Sequence, residues 1–193
     1  MNNYRSFFTG SSELESALAH NLNLSYFSFN MFNYTNVRAR LNYSKTIDRI
    51  RTRSQFVPGG VVRVSSPSNS DWADESASAN ANFEKTIGKF RATISGNVSY
   101  NKFNQFVNNQ ASVNENYSQN YRARLRTNFR EAPNFELGYR YTIQDNDQGS
   151  SRTKFFTNAP SINFDALIFK SVTFKTNYSY NNFSNEEKTL NTF

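Results

Sequence analysis

Phe90-Arg91-Ala92-Thr93-Ile94-Ser95-Gly96-Asn97-Val98-Ser99-Tyr100 alternates in character at every residue. Phe90, Ala92, Ile94, Gly96, Val98 and Tyr100 fall on one side, and Arg91, Thr93, Ser95, Asn97 and Ser99 on the other. Successive side chains of a β-strand point to opposite faces, so a period of two with unlike faces predicts a strand. The apolar side has a ring at each end and small or aliphatic groups between. The same pattern recurs on both sides of this stretch. Val37, Ala39, Leu41 and Tyr43 oppose Arg38, Arg40 and Asn42; Ala77, Ala79, Ala81 and Phe83 oppose Ser78, Asn80, Asn82 and Glu84. Tyr121, Ala123, Leu125 and Phe129 share a side against Arg122, Arg124 and Arg126. Phe135, Leu137, Tyr139, Tyr141 and Ile143 oppose Glu136, Arg140 and Gln144, and Val172, Phe174, Tyr178 and Tyr180 oppose Lys175 and Asn177. With a run opening at Leu22-Asn23-Leu24-Ser25-Tyr26 and a poorer one over residues 155–164, about eight strands are expected. Only Ser12–Leu18 has any helical spacing, enough for one or two turns. Residues 1–17 are therefore expected as an N-terminal segment, a short helix or extended, and 18–193 as strands.

Composition narrows the function. The 193 residues carry a net charge of +7 and are 37% hydrophobic, below the usual ~45–50%. Yet 19 Phe and 11 Tyr set the chain apart from disordered sequences, which lack aromatics. Absence of cysteine removes disulfides, thiolate metal sites and thiol catalysis, and a single His, His20, removes His-rich metal centres and an ordinary triad. Asp and Glu are scattered with no facing pair to do acid–base work, so no enzyme and no cofactor are expected. Basic charge with many rings raises single-stranded nucleic-acid binding, but the Arg residues spread over most strands and no segment concentrates both features, so no nucleic-acid partner is expected. An Asn-rich aggregating or solenoid chain is disfavoured by the lack of any short repeat. No run approaches the ~18 apolar residues of a membrane helix. Met1-Asn2-Asn3-Tyr4-Arg5 has no apolar stretch of a signal peptide, so the protein is expected either to stay where it is made or to be part of a longer polypeptide whose leader lies elsewhere.

Strand length and loop order point to a membrane sheet. Ten or eleven residues tilted by ~40° span about 25–28 Å, the height of the apolar band of a transmembrane barrel. Rings at strand ends suit the two bilayer interfaces. Short connections are expected near Asn30–Asn33, Ile87–Lys89, Arg130–Asn134 and Ala166–Ser171, and long or polar ones near Asp48–Trp72, Phe106–Asn116, Asp145–Arg152 and Phe183–Lys188. That alternation matches periplasmic turns and outer loops. The expected fold is all-β: an antiparallel transmembrane β-barrel, about eight strands of what is expected to be a larger one, in outer-membrane lipid. Arg38, Arg40, Arg122, Arg124, Arg126 and Arg140 are then lumen-facing.

Asn21-Leu22-Asn23-Leu24-Ser25-Tyr26, Val37-Arg38-Ala39-Arg40-Leu41-Asn42-Tyr43-Ser44 and Asn134-Phe135-Glu136-Leu137-Gly138-Tyr139-Arg140-Tyr141 resemble barrel strands of TonB-dependent outer-membrane receptors, in particular the variant with a carboxypeptidase-regulatory-like extension. The resemblance covers about residues 18–193 and rests on pattern rather than an invariant motif. It implies a section of a barrel of about 22 strands, a plug domain and a TonB-type energy-coupling protein as partners, and uptake of a siderophore, cobalamin or glycan-like solute. This chain lacks the plug, coupling box and regulatory domain of that family. Two alternatives are a small self-closing eight-stranded barrel acting as adhesin or structural protein, and a soluble antiparallel sandwich that binds a ligand.

Two loops and one recurring strand triplet carry residues of the types that form sites. Asp71-Trp72-Ala73-Asp74-Glu75 sets the only Trp among acids, which suits stacking on a sugar or anchoring at a membrane surface; Trp72, Asp71 and Asp74 are the ligand-contact candidates. Asp145-Asn146-Asp147-Gln148-Gly149 has the opening spacing of a calcium loop without the later bidentate Glu, and a polar hairpin turn explains Asp145 and Asp147 as well. The Asn-x-Ser triplets at Asn23, Asn42, Asn97 and Asn177 are polar–apolar–polar steps of strands rather than glycosylation sites.

Overall fold

The computed structural model describes residues 5–56, 62–107, 110–129, 133–149, 151–168, 172–185 and 189–192. Among them there is no helix. Thirteen strands follow one another: β1 (Arg5–Phe8), β2 (Leu18–Asn30), β3 (Thr35–Ile47), β4 (Ile50–Phe56), β5 (Val62–Asn69), β6 (Asp74–Ile87), β7 (Phe90–Val107), β8 (Gln110–Thr127), β9 (Asn134–Asp147), β10 (Arg152–Ile168), β11 (Val172–Ser179), β12 (Asn181–Asn185) and β13 (Thr189–Thr192). All pairings are antiparallel except β1 with β5. Of the two forms expected for the N-terminal segment, the extended one is found. Residues 9–17 form neither helix nor strand, and Glu15 is tied to Asn69.

The large sheet runs β2-β3-β6-β7-β8-β9-β10, with β11, β12 and β13 beyond β10. Local chemistry fixes its tight turns. Asn30 accepts the amides of Phe32 (2.9 Å) and Asn33 (3.3 Å) on its side-chain oxygen and so closes the β2–β3 turn. Gly88, at φ +60, supplies the left-handed residue of the two-residue β6–β7 hairpin. At the β8–β9 end, Asn134 takes the Phe129 amide (2.6 Å) and returns a bond to its carbonyl (3.1 Å), beside the 1%-exposed Thr127. β11 and β12 are one strand interrupted once. Asn158 pairs Asn182 and Ser161 pairs Ser179, a single register, and the break at Tyr180 faces Pro160. Tyr180 donates to the Pro160 carbonyl (3.1 Å), but Pro160 has no N–H to return.

The eight expected strands correspond to β2, β3, β6–β10 and β11. The connection expected over Asp48–Trp72 is instead a second, three-stranded sheet, β1-β5-β4. The one expected over Phe106–Asn116 is mostly strand, because β7 and β8 stay paired out to Val107 and Gln110. These stretches are polar on both faces, and ladder hydrogen bonds do not require an apolar side. Residues 130–132, 169–171 and 186–188, parts of three other expected connections, lie outside the described residues.

Strand ends are staggered. One rung perpendicular to the strands passes through Asn30, Thr35, Lys85, Ala92, Leu125, Leu137, Ile162 and Tyr178. β2 and β3 stop on it, β6 and β7 stop at Ile87 and Phe90, and β10 and β11 reach Ile168 and Val172. The sheet is open: β2 and β13 are its outer strands and do not pair. Among the described residues the second sheet meets the large one only where β4 lies against β7 at one end of a single face, and nothing covers the other face. Neither the self-closing barrel nor the sandwich is what these strands form. The chain exposes 14269 Å², against about 9400 Å² for a compact protein of its mass. Ala159 is the only buried hydrophobic residue among those described.

Candidate functional site

Residues directly opposite in a ladder share a face, so the registers sort every side chain of the large sheet. One face carries the rungs Leu24-Leu41-Ala79-Val98-Gln119-Ile143-Phe156, Tyr26-Ala39-Ala81-Gly96-Tyr121-Tyr141-Asn158 and Ser28-Val37-Phe83-Ile94-Ala123-Tyr139-Pro160. None of the three holds a charge. Two of their amides are matched by tyrosines: Tyr121 donates to Gln119 (2.9 Å) and Tyr139 to Asn158 (2.8 Å). Leu24, Tyr26, Ile94, Tyr121 and Tyr139 are all largely exposed. Toward the long connections this face meets the rung Leu22-Tyr43-Ala77-Tyr100-Tyr117-Asp145-Lys154, aromatic on β3, β7 and β8 and charged on β9 and β10, then a fully charged one, His20-Lys45-Glu75-Lys102-Glu115-Asp147-Arg152. Its signs alternate from Lys45 to Glu115, with Lys45–Glu75 at 3.5 Å and Lys102–Glu115 at 3.3 Å. At the opposite end Lys85 is the one cation, a rung short of Ile87 and Phe90.

The other face is polar and divides into two zones. Near the long connections the rungs are Asn21-Ser44-Ser76-Asn101-Asn116-Asn146 and Asn23-Asn42-Ser78-Ser99-Ser118-Gln144, without a charge. Asn42 donates to Ser78 (3.1 Å) and Ser76 to Asn101 (2.8 Å). Toward the tight turns the face becomes basic. Arg38, Arg122 and Arg140 lie on one rung, with Arg122 and Arg140 directly opposite each other; Arg124 faces Gly138 on the next; Arg91, Arg126 and Glu136 share a third. Arg40 lies one rung nearer the amide zone. All six arginines expected on one face are on it together. Arg38 sits over the Phe27 ring at 5.5 Å, and Arg91 approaches Glu84 at 4.0 Å. Arg40, Arg122, Arg124, Arg126 and Arg140 have no carboxylate within 4 Å among the described residues. An open depression of about 270 Å³ lies at Arg122, Arg124 and Arg140, and one of about 350 Å³ at Arg126, Asn163 and Lys175.

The loop candidates separate. Asp74 is 7% exposed and its oxygens are taken: Arg49 donates to Oδ2 at 3.0 Å, Arg51 to the same oxygen, and the Asn104 amide to Oδ1 at 3.2 Å. This clamp holds the β4–β5 hairpin over the amide end of the polar face, where Arg51 also sits 5.9 Å from the Phe103 ring centroid. Asp71 and Trp72 are exposed, and Ser70 donates to the Trp72 carbonyl (3.1 Å). Asp145 is gripped by both Nε (2.9 Å) and Nη2 (2.7 Å) of Arg152, and these hydrogen bonds, aided by the guanidinium charge, hold its carboxyl below the usual carboxylate range. Asp147 accepts the Gly149 amide (2.8 Å) as a turn residue does. No cluster of three metal-binding side chains occurs among the described residues.

No family model, curated protein or solved structure matches the chain. Its chemistry rests on the geometry alone: one greasy face without a cover, and one polar face with excess guanidinium. Sequence reading missed Arg91, the clamp of Arg49 and Arg51 on Asp74, and the charged rung. The rung had a signal. The two-residue turn at Gly88-Lys89 fixes the β6–β7 register, which brings Glu75 opposite Lys102.

Proposed function

We propose that the chain is a section of the wall of an outer-membrane β-barrel of the TonB-dependent receptor type. It has no enzymatic role; its apolar face meets lipid and its arginine face borders plug and solute. The observation that carries this reading is the order of rungs on the uncovered apolar face. On β6 the stretch from Ala77 to Ile87 measures about 33 Å along the strand, or about 25–29 Å at an inclination of 30–40°. Three uncharged rungs occupy its middle; at one end lies the rung of Tyr43, Tyr100 and Tyr117, with Asp145 and Lys154 on it and ion-paired charges beyond, and Lys85 lies at the other end, so rings and charges gather at the edges as the interface and headgroup region require. Amides within the band have tyrosine partners, which suits a surround without water.

The stagger of the strand ends supports the same reading. A shift of six residues over the seven steps from β2 to β11 is about 20 Å across about 34 Å, an inclination near 30°, close to the 35–45° of barrel strands. In such a receptor the plug and the energy-coupling protein supply gating, and this section supplies wall. The solute class is taken up below.

Because the chain has no cysteine, single cysteines can be introduced without background. An environment-sensitive dye at Ile94→Cys or Leu125→Cys should be quenched by brominated lipid in vesicles, and at Asn97→Cys or Arg124→Cys it should not. Quenching of the second pair instead of the first would end the membrane reading.

A further inference from the structure

We infer that the basic zone is a binding site for a small solute carrying two or more oxyanion groups, centred on Arg122, Arg124 and Arg140. This deepens the wall reading and rests on it only for the statement that this face meets solute. Five guanidiniums, those of Arg91, Arg122, Arg124, Arg126 and Arg140, occupy three consecutive rungs of β7, β8 and β9 against two carboxylates, Glu84 and Glu136. Two like-charged pairs are directly opposed, Arg122 with Arg140 and Arg91 with Arg126. Opposed side chains start about 5 Å apart at Cβ, and like charges there destabilise a sheet. Glu84 reaches Arg91 only at 4.0 Å, and Glu136 binds Asn163 at 3.4 Å. The repulsion is therefore not cancelled within the described chain. Bound oxyanions would relieve it, since guanidinium presents its N–H groups in a fork that matches two oxygens of phosphate, sulfate or carboxylate.

The shape fits the same occupant. Gly138 stands where a side chain would fill the centre of the patch: a Cβ there would lie 2.5 Å from Ser161 Oγ and 3.8 Å from Arg124 Cγ. Without it the arginine stems border the depression of about 270 Å³, with Ser161 and Ser179 adding hydroxyl donors and Glu136 at one side. That volume suits a compact group and is far smaller than a protein surface would need. The rungs toward the long connections carry amides and hydroxyls on β2, β3 and β6–β9, and the guanidiniums beyond them, Arg49 and Arg51, are held by Asp74, so the unpaired positive charge of this face gathers in the basic zone.

The test is titration calorimetry of the chain in neutral-detergent micelles, with inorganic tripolyphosphate as probe and maltotriose and poly-glutamate as comparisons. Tripolyphosphate should bind, weakening as salt is raised, while maltotriose should not. Arg122→Gln/Arg140→Gln should weaken binding by about tenfold or more. Arg152→Gln, at an arginine already held by Asp145 on the other face, should leave it unchanged. Strand content by circular dichroism keeps loss of binding distinct from loss of fold; should the double variant fail to fold, Gly138→Ala, which sets a methyl between Ser161 and Arg124 at the centre of the depression and leaves every charge, serves instead and should weaken binding. No tripolyphosphate binding by the folded chain overturns the inference, as does poly-glutamate binding without tripolyphosphate binding. Lipid quenching as expected above together with absent anion binding defeats this inference alone; quenching on the arginine face defeats the wall reading.

Discussion

Gly138 and Ser161 occupy opposite positions on β9 and β10, and the space between them holds one side chain comfortably. Ser161 can turn its hydroxyl aside for an added methyl but not for a branched side chain. Gly138→Val is expected to cost about 1–3 kcal/mol, and much less in a Ser161→Gly background. Urea midpoints in micelles with unchanged slope measure this, and an additive double variant would rule the contact out. Asp145 makes a different demand. Arg152 lowers its carboxyl below the unfolded value, so the pair contributes stability above about pH 4 that is lost as pH falls through the depressed folded value. It lies on the loop side of Ile143, and Arg152 is well exposed, so the contribution is limited to about 0.2–1 kcal/mol. Asp145→Asn should lower stability at pH 7 and flatten its decline toward pH 3. An unchanged acid slope in that variant would assign the decline to other carboxylates.

Each strand of the large sheet carries its two environments at alternate positions, so adjacent residues should respond oppositely. Ile94→Arg, in the middle of the uncharged rungs, is expected to destabilise the vesicle-embedded chain by about 2–4 kcal/mol, while Ser95→Arg should stay within about 1 kcal/mol. Equal costs would show that the two faces do not differ in solvent. The alternation behind this was legible from Phe90–Tyr100 alone, because a strand with one wet and one greasy face writes its period into the residue types. β4 and β5 were not legible for the converse reason. Arg51 and Arg53 on one face and Thr52 and Ser54 on the other are all polar and give no contrast, and the pairing of β4 with β5 rests on the backbone, on the Ser54–Ser65 hydroxyl contact at 3.0 Å and on Asn69, which holds the Glu15 and Asp48 carbonyls at 2.8 and 2.6 Å. The arginine face was legible as a set, since parity assigns Arg38, Arg40, Arg122, Arg124, Arg126 and Arg140 to one side of their strands. Which arginines meet depends on register, so the opposed Arg122–Arg140 pair and the part of Arg91 appear only once the strands are aligned. Asp74 reads as an exposed acid beside the only Trp, and its burial under Arg49 and Arg51 is a long-range contact that no local pattern encodes.

An open sheet of this size cannot be the final form of the molecule in lipid. Alternate residues of β2 point their N–H and C=O groups away from β3, and each such group left unpaired in hydrocarbon costs several kcal/mol. The apolar face adds a second demand, since Leu22, Leu24 and Tyr26 on the same strand are each more than half exposed. Lipid can cover the face but cannot bond the edge; only another strand can do that. The edge therefore distinguishes a wall section from a complete small barrel. In micelles, the outward amides of Leu18–Asn30 should exchange with deuterium orders of magnitude faster than those of β7, which is bonded on both sides by β6 and β8. If they are as protected as β7 in a monomeric micelle, β2 has joined the far edge of the sheet, and the chain closes on itself with no need of a larger barrel. If they are protected only when the chain associates with itself or with further strands, the sheet is a section that takes its missing neighbour from outside.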